Sequence, residues 1–205
     1  MSKIIKVDKN YFYLFPDNPK IDKTKLLITD ESIYSITLPW DGIKVMKFIQ
    51  HIIPVKLHKL IITDATANVG GDSIHFSNYF KTVNSVEINR LHCDALENNI
   101  KVYKRNNINI ICKNYIKVMN NLKQDIVYMD PPWGRISYST QTKVKLKLGK
   151  YTLDKLINKI TSSNIFIIKA PYNYDYKLFF KKVGKGKKYK MLIRKKILIL
   201  GFIRK

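Results

Sequence analysis

An aspartate, two prolines, an indole and a glycine stand in succession at Asp130, Pro131, Pro132, Trp133 and Gly134. The apolar run Ile126–Met129 stops at Asp130. Proline lacks a backbone donor and restricts the residue before it, so the run reads as a strand ending in a stiff loop. Such a loop offers a carboxylate, fixed carbonyls and an aromatic face. Those groups suit a flat ring with an exocyclic amine. Asp130 and the Pro131 carbonyl accept its N–H bonds, and Trp133 stacks on it, at about 1–3 kcal/mol per base. An Asp-Pro-Pro turn can be purely structural and Trp133 a core aromatic. The order strand, carboxylate, prolines, aromatic favours the chemical reading.

Two further groups sit at strand ends. The loop 64–72 reads Asp-Ala-Thr-Ala-Asn-Val-Gly-Gly-Asp. Gly70 and Gly71 let backbone approach a ligand before a helix capped by Asp72 or Ser73. Asp64 is placed to hold a ligand's ammonium. The bland alternative is an ordinary strand–helix turn. The loop matches neither Gly-x-Gly-x-x-Gly nor a triphosphate-binding loop. Glu87 follows Asp64 at the end of the next strand, where an acid binds ribose hydroxyls. Alone it would be a solvated strand-end carboxylate. Asn114, ending the third strand, is a candidate reader of an adenine edge.

The elements that carry these groups alternate. Strands are expected over 57–63, 83–88, 108–112, 126–129 and 165–168, the last broken by Ala170-Pro171. Amphipathic helices are expected over 41–52 and 89–103, with shorter ones over 73–80, 151–160 and 172–183 and a short helix or turn over 116–122. That alternation is an α/β fold: a mostly parallel seven-stranded sheet with helices on both faces. Runs 188–193 and 196–203 close it as an antiparallel C-terminal edge pair. Residues 1–39 read as an N-terminal appendage packed on a single domain over 40–205.

The 205 residues hold 38 Lys+Arg against 15 Asp+Glu, a net charge of +23. An excess this large marks a polyanion partner more often than a merely solvated surface. A membrane is the weaker candidate partner and none is expected, because there is no apolar stretch of about 18 residues and no signal-peptide pattern. Cys93 and Cys112 have no metal or redox spacing; they read as small buried apolar residues in a reducing compartment. His51, His58, His75 and His92 share no ligand spacing, and no metal is expected. The Ile, Lys, Asn and Tyr usage suggests an AT-rich genome.

Asp64-Ala-x-x-x-Val-Gly-Gly, then Ile-x-Phe, then Asp-Pro-Pro-Trp-Gly resembles the trimethylguanosine synthase family. Glu31-Ser32-Ile33-Tyr34-Ser35-Ile36-Thr37 resembles the segment before that family's catalytic domain. The resemblance covers residues 26–135 and extends to the C-terminal third only by fold. These are Rossmann-like class I methyltransferases that use S-adenosyl-L-methionine to methylate the exocyclic amine of a 7-methylguanosine RNA cap. The tryptophan carries the distinction, because relatives acting on adenine or ribosomal guanine usually have Tyr or Phe there. RNA adenine methyltransferases with Asp-Pro-Pro-Trp place it before the cofactor motif, the reverse of this order. The resemblance implies that Asp64, Thr66, Gly70, Gly71, Glu87, Asn114 and Asp130 line the cofactor. It implies catalytic roles for Asp130, Pro131 and Trp133, and substrate contacts for Trp133, Tyr34, Arg135, Lys143 and Lys145. Two positions depart from the pattern: Gly134-Arg135 replaces Gly-Gly, and Asn114 replaces an acid.

Lys143, Lys145, Lys147 and Lys150 form one basic run; Lys181, Lys182, Lys185, Lys187, Lys188 and Lys190 form another. Singly these are solvated surface lysines. Together, downstream of the Asp130 loop, they suggest a phosphate rail that positions RNA without reading it. The expectation is a monomer acting on capped RNA in cytoplasm or nucleus; a viral member would act in host cytoplasm, a viral factory or the virion. Two alternatives stay open. One is a guanine-N2 or adenine-N6 methyltransferase on rRNA, tRNA or DNA. The other is an inactive RNA-binding or assembly protein that keeps the fold.

Overall fold

A computed structural model describes residues 3–205, with the side chains of 135–137 outside the description. In chain order the elements are β1 (Ile4–Lys6), β2 (Leu27–Thr29), α1 (Ser32–Ser35), α2 (Pro39–Ile52), β3 (Ile61–Asp64) and α3 (Gly71–Phe76). Then come β4 (Thr82–Glu87), α4 (Arg90–Val102), β5 (Ile108–Cys112), α5 (Tyr115–Val118), β6 (Ile126–Met129), β7 (Lys147–Leu148) and β8 (Tyr151–Thr152). Last are α6 (Leu153–Ile157), β9 (Ile165–Pro171), α7 (Tyr176–Lys182), β10 (Gly186–Ile193) and β11 (Ile197–Arg204).

Seven strands form one sheet in the order β10-β11-β9-β6-β3-β4-β5. The β9-β6-β3-β4-β5 block is parallel, and β11 is antiparallel to both β9 and β10. The chain leaves β3 toward β4 on one side and returns to β6 on the other. The crevice outside the carboxyl ends of β3 and β6 is therefore the switch point where open α/β sheets bind ligands. Register puts Asp64 beside Tyr128, so the ends at Asp64 and Asp130 are neighbours.

Alternation along the strands builds two cores. Ile126 and Tyr128 of β6 face the cluster shared with α2, α3 and α4. Val127 and Met129 face the cluster shared with α5, α6 and α7. Val7, Leu14, Phe15, Leu26 and Ile28 of the first 39 residues are buried in the first cluster. Pro39 opens α2 in the first turn, where a missing N–H is harmless. Asn89 caps α4 by accepting from the Leu91 amide at 2.9 Å.

Several expectations need correction. The α3 cap is Gly70, in the left-handed region at φ 99°, and not Asp72 or Ser73. β9 does not break at Ala170. Beyond Ile168 it pairs with β11 alone, through Ala170 and Pro171, and a terminal proline is tolerated there. The helices expected over 151–160 and 172–183 are shorter, and Tyr151 and Thr152 pair as a strand with β7. Cys93 and Cys112 are not separate thiols. The first turn of α4 packs over the end of β5, bringing their Cα atoms to 5.9 Å, and they pair as a disulfide.

Candidate active site

The expected cofactor side is built on the loop after β3. Asp64 is 1% exposed, and it accepts from the Ser73 hydroxyl at 2.7 Å and the Thr66 amide at 3.3 Å. The Ser85 hydroxyl supports Ser73 at 2.7 Å. Burial, and then the neighbouring Asp72, push the Asp64 carboxyl well above the usual aspartate range. Glu87 accepts from the Asn68, Ile88 and Asn89 amides, each at 2.8 Å. Burial raises the Glu87 carboxyl, but bonds from His92 and the Asn89 and Asn68 amides more than offset it, so it sits low and ionised. Asn114 uses its side-chain oxygen to cap α5 through the Ile116 amide at 2.9 Å. Its NH2 end and one oxygen lone pair remain for a ligand.

The expected acceptor side is the loop after β6. The Asp130 amide donates to the Thr66 hydroxyl at 2.9 Å, which ties this loop to the cofactor loop. Asp130 Oδ1 accepts from the Trp133 indole N–H at 3.0 Å. Tyr138 meets the indole edge-on, with ring centroids 5.4 Å apart. Gly134, at φ 94°, turns the chain away directly after the indole. Trp133 is thus fixed by a hydrogen bond and a T-shaped contact, and remains partly exposed.

Between the two sides lies a residue that the sequence reading passed over. Lys169, 5% exposed, donates to Asp130 Oδ2 at 2.6 Å and to the Thr37 hydroxyl at 2.8 Å. Its ammonium also stands 5.4 Å from the centre of the Trp133 ring. Thr37 in turn donates to Asp72 Oδ2 at 2.6 Å, and the Tyr128 hydroxyl donates to the same oxygen at 3.0 Å. Burial lowers Lys169, but Asp130 and Asp72 outweigh it and hold the ammonium protonated. Burial raises Asp130, Lys169 pulls it back, and it is left at about 6. Asp130 and Asp72 therefore flank Lys169, the one buried Lys or Arg among the described residues, with Asp64 beside the two carboxylates, and Asp72 Oδ1 is buried with no hydrogen-bond partner among the described residues. A pocket with an unsatisfied buried carboxylate oxygen suits a cationic ligand, such as a sulfonium bearing an ammonium group.

The remaining candidates scatter. Tyr34 is 91% exposed on α1, and its neighbour Ser35 accepts from Asn68 of the cofactor loop at 2.9 Å. Lys143 is spread over Asp175 at 3.0 Å, and Lys145 is exposed. The Arg135 side chain lies outside the described residues. The second lysine run does not sit beside the pocket. Gly186 pairs with Arg204 at the amino edge of the sheet, so Lys181, Lys182, Lys185, Lys187 and Lys188 begin at the far side. Thr37, Asp72, Tyr128 and Lys169 were the residues missed. One signal existed: Lys169 is a lone charge in the apolar run 165–170.

Residues 59–186 match the family described as RNA cap guanine-N2 methyltransferase. An uncharacterized protein of Acanthamoeba polyphaga mimivirus is 33% identical over 192 residues, covering 82% of this chain and 75% of that one. The trimethylguanosine synthase of Schizosaccharomyces pombe is 27% identical over 156 residues, covering 72% of this chain and 63% of that enzyme. Among solved structures, the T. thermophilus 16S rRNA N2 methyltransferase in complex with AdoMet and guanosine superposes with a TM-score of 0.61 at 13% identity. It is matched over 84% of this chain and 45% of its own. The precorrin-6y C5,15-methyltransferase of Geobacter metallireducens superposes at 0.60 with 14% identity, over 91% and 97% of the two chains. At these identities the structures share the Rossmann-like methyltransferase fold.

Proposed function

The chain belongs to the RNA cap guanine-N2 methyltransferase family and takes S-adenosylmethionine as its cofactor, and we propose that it methylates the exocyclic 2-amino group of a 7-methylguanosine RNA cap. The observation that carries this reading is the fixed indole at the end of β6, with a carboxylate and the buried Pro131 backbone beside it. Trp133 presents a face to the base. Stacking supplies about 1–3 kcal/mol, and a cationic 7-methylguanine adds a cation–π term of about 0.5–2 kcal/mol. Asp130 and the Pro131 carbonyl accept from the amine and aim its lone pair. The bound cofactor supplies an electrophilic methyl on a sulfonium. Asp130, or water, would take the proton that the amine gives up as the methyl is transferred to it from the sulfonium. An exocyclic amine is a weak nucleophile, so most of the rate comes from alignment.

A neutral guanine in another RNA is the second reading, and one observation favours it. Lys169 already places a cation over the Trp133 ring, which weakens the attraction for a second one. Binding separates the two. Trp133→Ala is expected to abolish discrimination between 7-methylguanosine and guanosine cap analogues in calorimetric titrations. A variant that still prefers the methylated cap overturns the stacking assignment. Equal binding of both analogues by the unaltered protein favours the second reading.

A further inference from the structure

The last carboxylate side chain in the sequence is Asp175; the 30 residues after it carry 12 lysines and arginines. The fold lays this segment out as a track. β10 is the outer strand of the sheet, and Lys187, Lys188 and Lys190 on it are exposed. It starts opposite Arg204 at the far edge and ends at Ile193, opposite Ile197, which pairs with Pro171 at the pocket edge. Eight residues of strand span about 26 Å. The turn that follows is Arg194-Lys195-Lys196, all exposed. Lys196 accepts the Tyr172 amide at 3.0 Å, three residues beyond Lys169. Arg194 is salt-bridged to Asp41 at 3.1 Å and lies over the Trp40 ring at 5.1 Å. Trp40 is 40% exposed beside Tyr13, their planes 17° apart. Lysines on an edge strand also prevent edge-to-edge pairing, but a few suffice for that. Positive charge in two groups along this edge, Lys187, Lys188 and Lys190 and then, past the apolar Met191-Leu192-Ile193, Arg194, Lys195 and Lys196, ending in exposed aromatics, matches a single nucleic-acid strand.

We propose that the single-stranded RNA following the cap runs along β10, its phosphates on the lysines and its first bases against Trp40 and Tyr172. This rests on the RNA reading above and adds a route to it. The test compares the unaltered protein with a variant in which Lys187, Lys188, Lys195 and Lys196 are glutamine. Ligands are a cap dinucleotide and a capped single-stranded RNA long enough to pass the strip, read by fluorescence anisotropy over a salt series. The variant is expected to bind the dinucleotide unchanged and the long RNA on the order of tenfold more weakly, with a salt slope smaller by about 3. Trp40→Ala is expected to weaken the long RNA alone. Equal losses on both ligands, no loss on either, or equal competition by double-stranded DNA overturn the route. Failure of cap discrimination with the length effect intact would fault the cap reading and leave the route standing.

A separate observation, the buried bridge from Asp130 through Lys169 and Thr37 to Asp72, carries a second inference. We infer that Lys169 is a positioning residue that keeps Asp130 ionised and locks the acceptor loop to the cofactor loop. The groups facing the bridge are Asp64 from β3, Asp72 and the buried His75 from α3, Tyr128 from β6 and Asp41 from α2, with Lys169 the buried cation among them. Lys169→Met is expected to lower kcat at least tenfold with little change in KM, and to move the acid limb of the pH profile upward. Lys169→Arg is expected to keep the limb in place. Titration of Trp133 fluorescence in a Trp40→Phe background reads the same ionisation without catalysis. An unmoved limb and an unmoved fluorescence midpoint in Lys169→Met overturn the role. If Lys169→Met does not fold, Thr37→Val is the substitute, expected to move both in the same direction.

Discussion

At Asp130 both carboxylate oxygens are engaged before any acceptor arrives, one by the Trp133 indole and one by Lys169. Each oxygen keeps a second lone pair, so the residue that fixes the indole is also free to accept from an incoming amine, the role proposed for it. The carboxyl is raised to about 6, so it is ionised at neutral pH and protonated below that value. Activity is therefore expected to fall as pH drops through about 6, measured as kcat/KM against pH. Stability at this pair follows from burial. Removing one partner strands the other charge, at a cost of about 3–5 kcal/mol. Asp130→Asn is accordingly expected to lower urea stability by several kcal/mol. Asp130→Asn with Lys169→Met is expected to be less damaging than the sum of the two. Strict additivity would contradict the bridge.

At the scale of elements, the site depends on how closely α1 and the segment after it approach the start of α3. A Cβ on Gly71 would stand 2.6 Å from Ile36, the residue before Thr37. Gly71→Ala is expected to displace Thr37 from Asp72 and Lys169. Overpacking of this kind costs about 1–3 kcal/mol, so cofactor affinity should drop roughly tenfold by calorimetry. Unchanged affinity would separate that segment from the cofactor loop. This approach also shows what the sequence conceals. Ile126–Met129 and Ile108–Cys112 are bounded by residues that break or cap, and their limits read directly. The end of β9 does not, because its last residues are held by β11, a strand far along the chain. That hid Lys169 from the site, although Asp130, Trp133, Asp64 and Glu87 all read correctly as strand-end groups. The cysteine pair was hidden for the same reason, since nothing local brings α4 onto the end of β5.

At the scale of the whole molecule, charge and topology are arranged about one crevice. The sheet reverses its strand order between β3 and β6, and the two carboxylate-bearing loops meet there. Asp64, Asp72 and Asp130 gather in the crevice, while the chain as a whole carries a net charge of +23. Such a division draws a polyanion to the molecule and a cation into the pocket. The most direct test is a methyl-transfer assay with labelled S-adenosylmethionine, comparing a 7-methylguanosine cap dinucleotide with its unmethylated twin. Label is expected on the exocyclic amine of the methylated cap and not on the twin. Label on neither, from protein that binds the cofactor, would contradict a cap methyltransferase and move the substrate to guanine or adenine elsewhere in RNA or DNA.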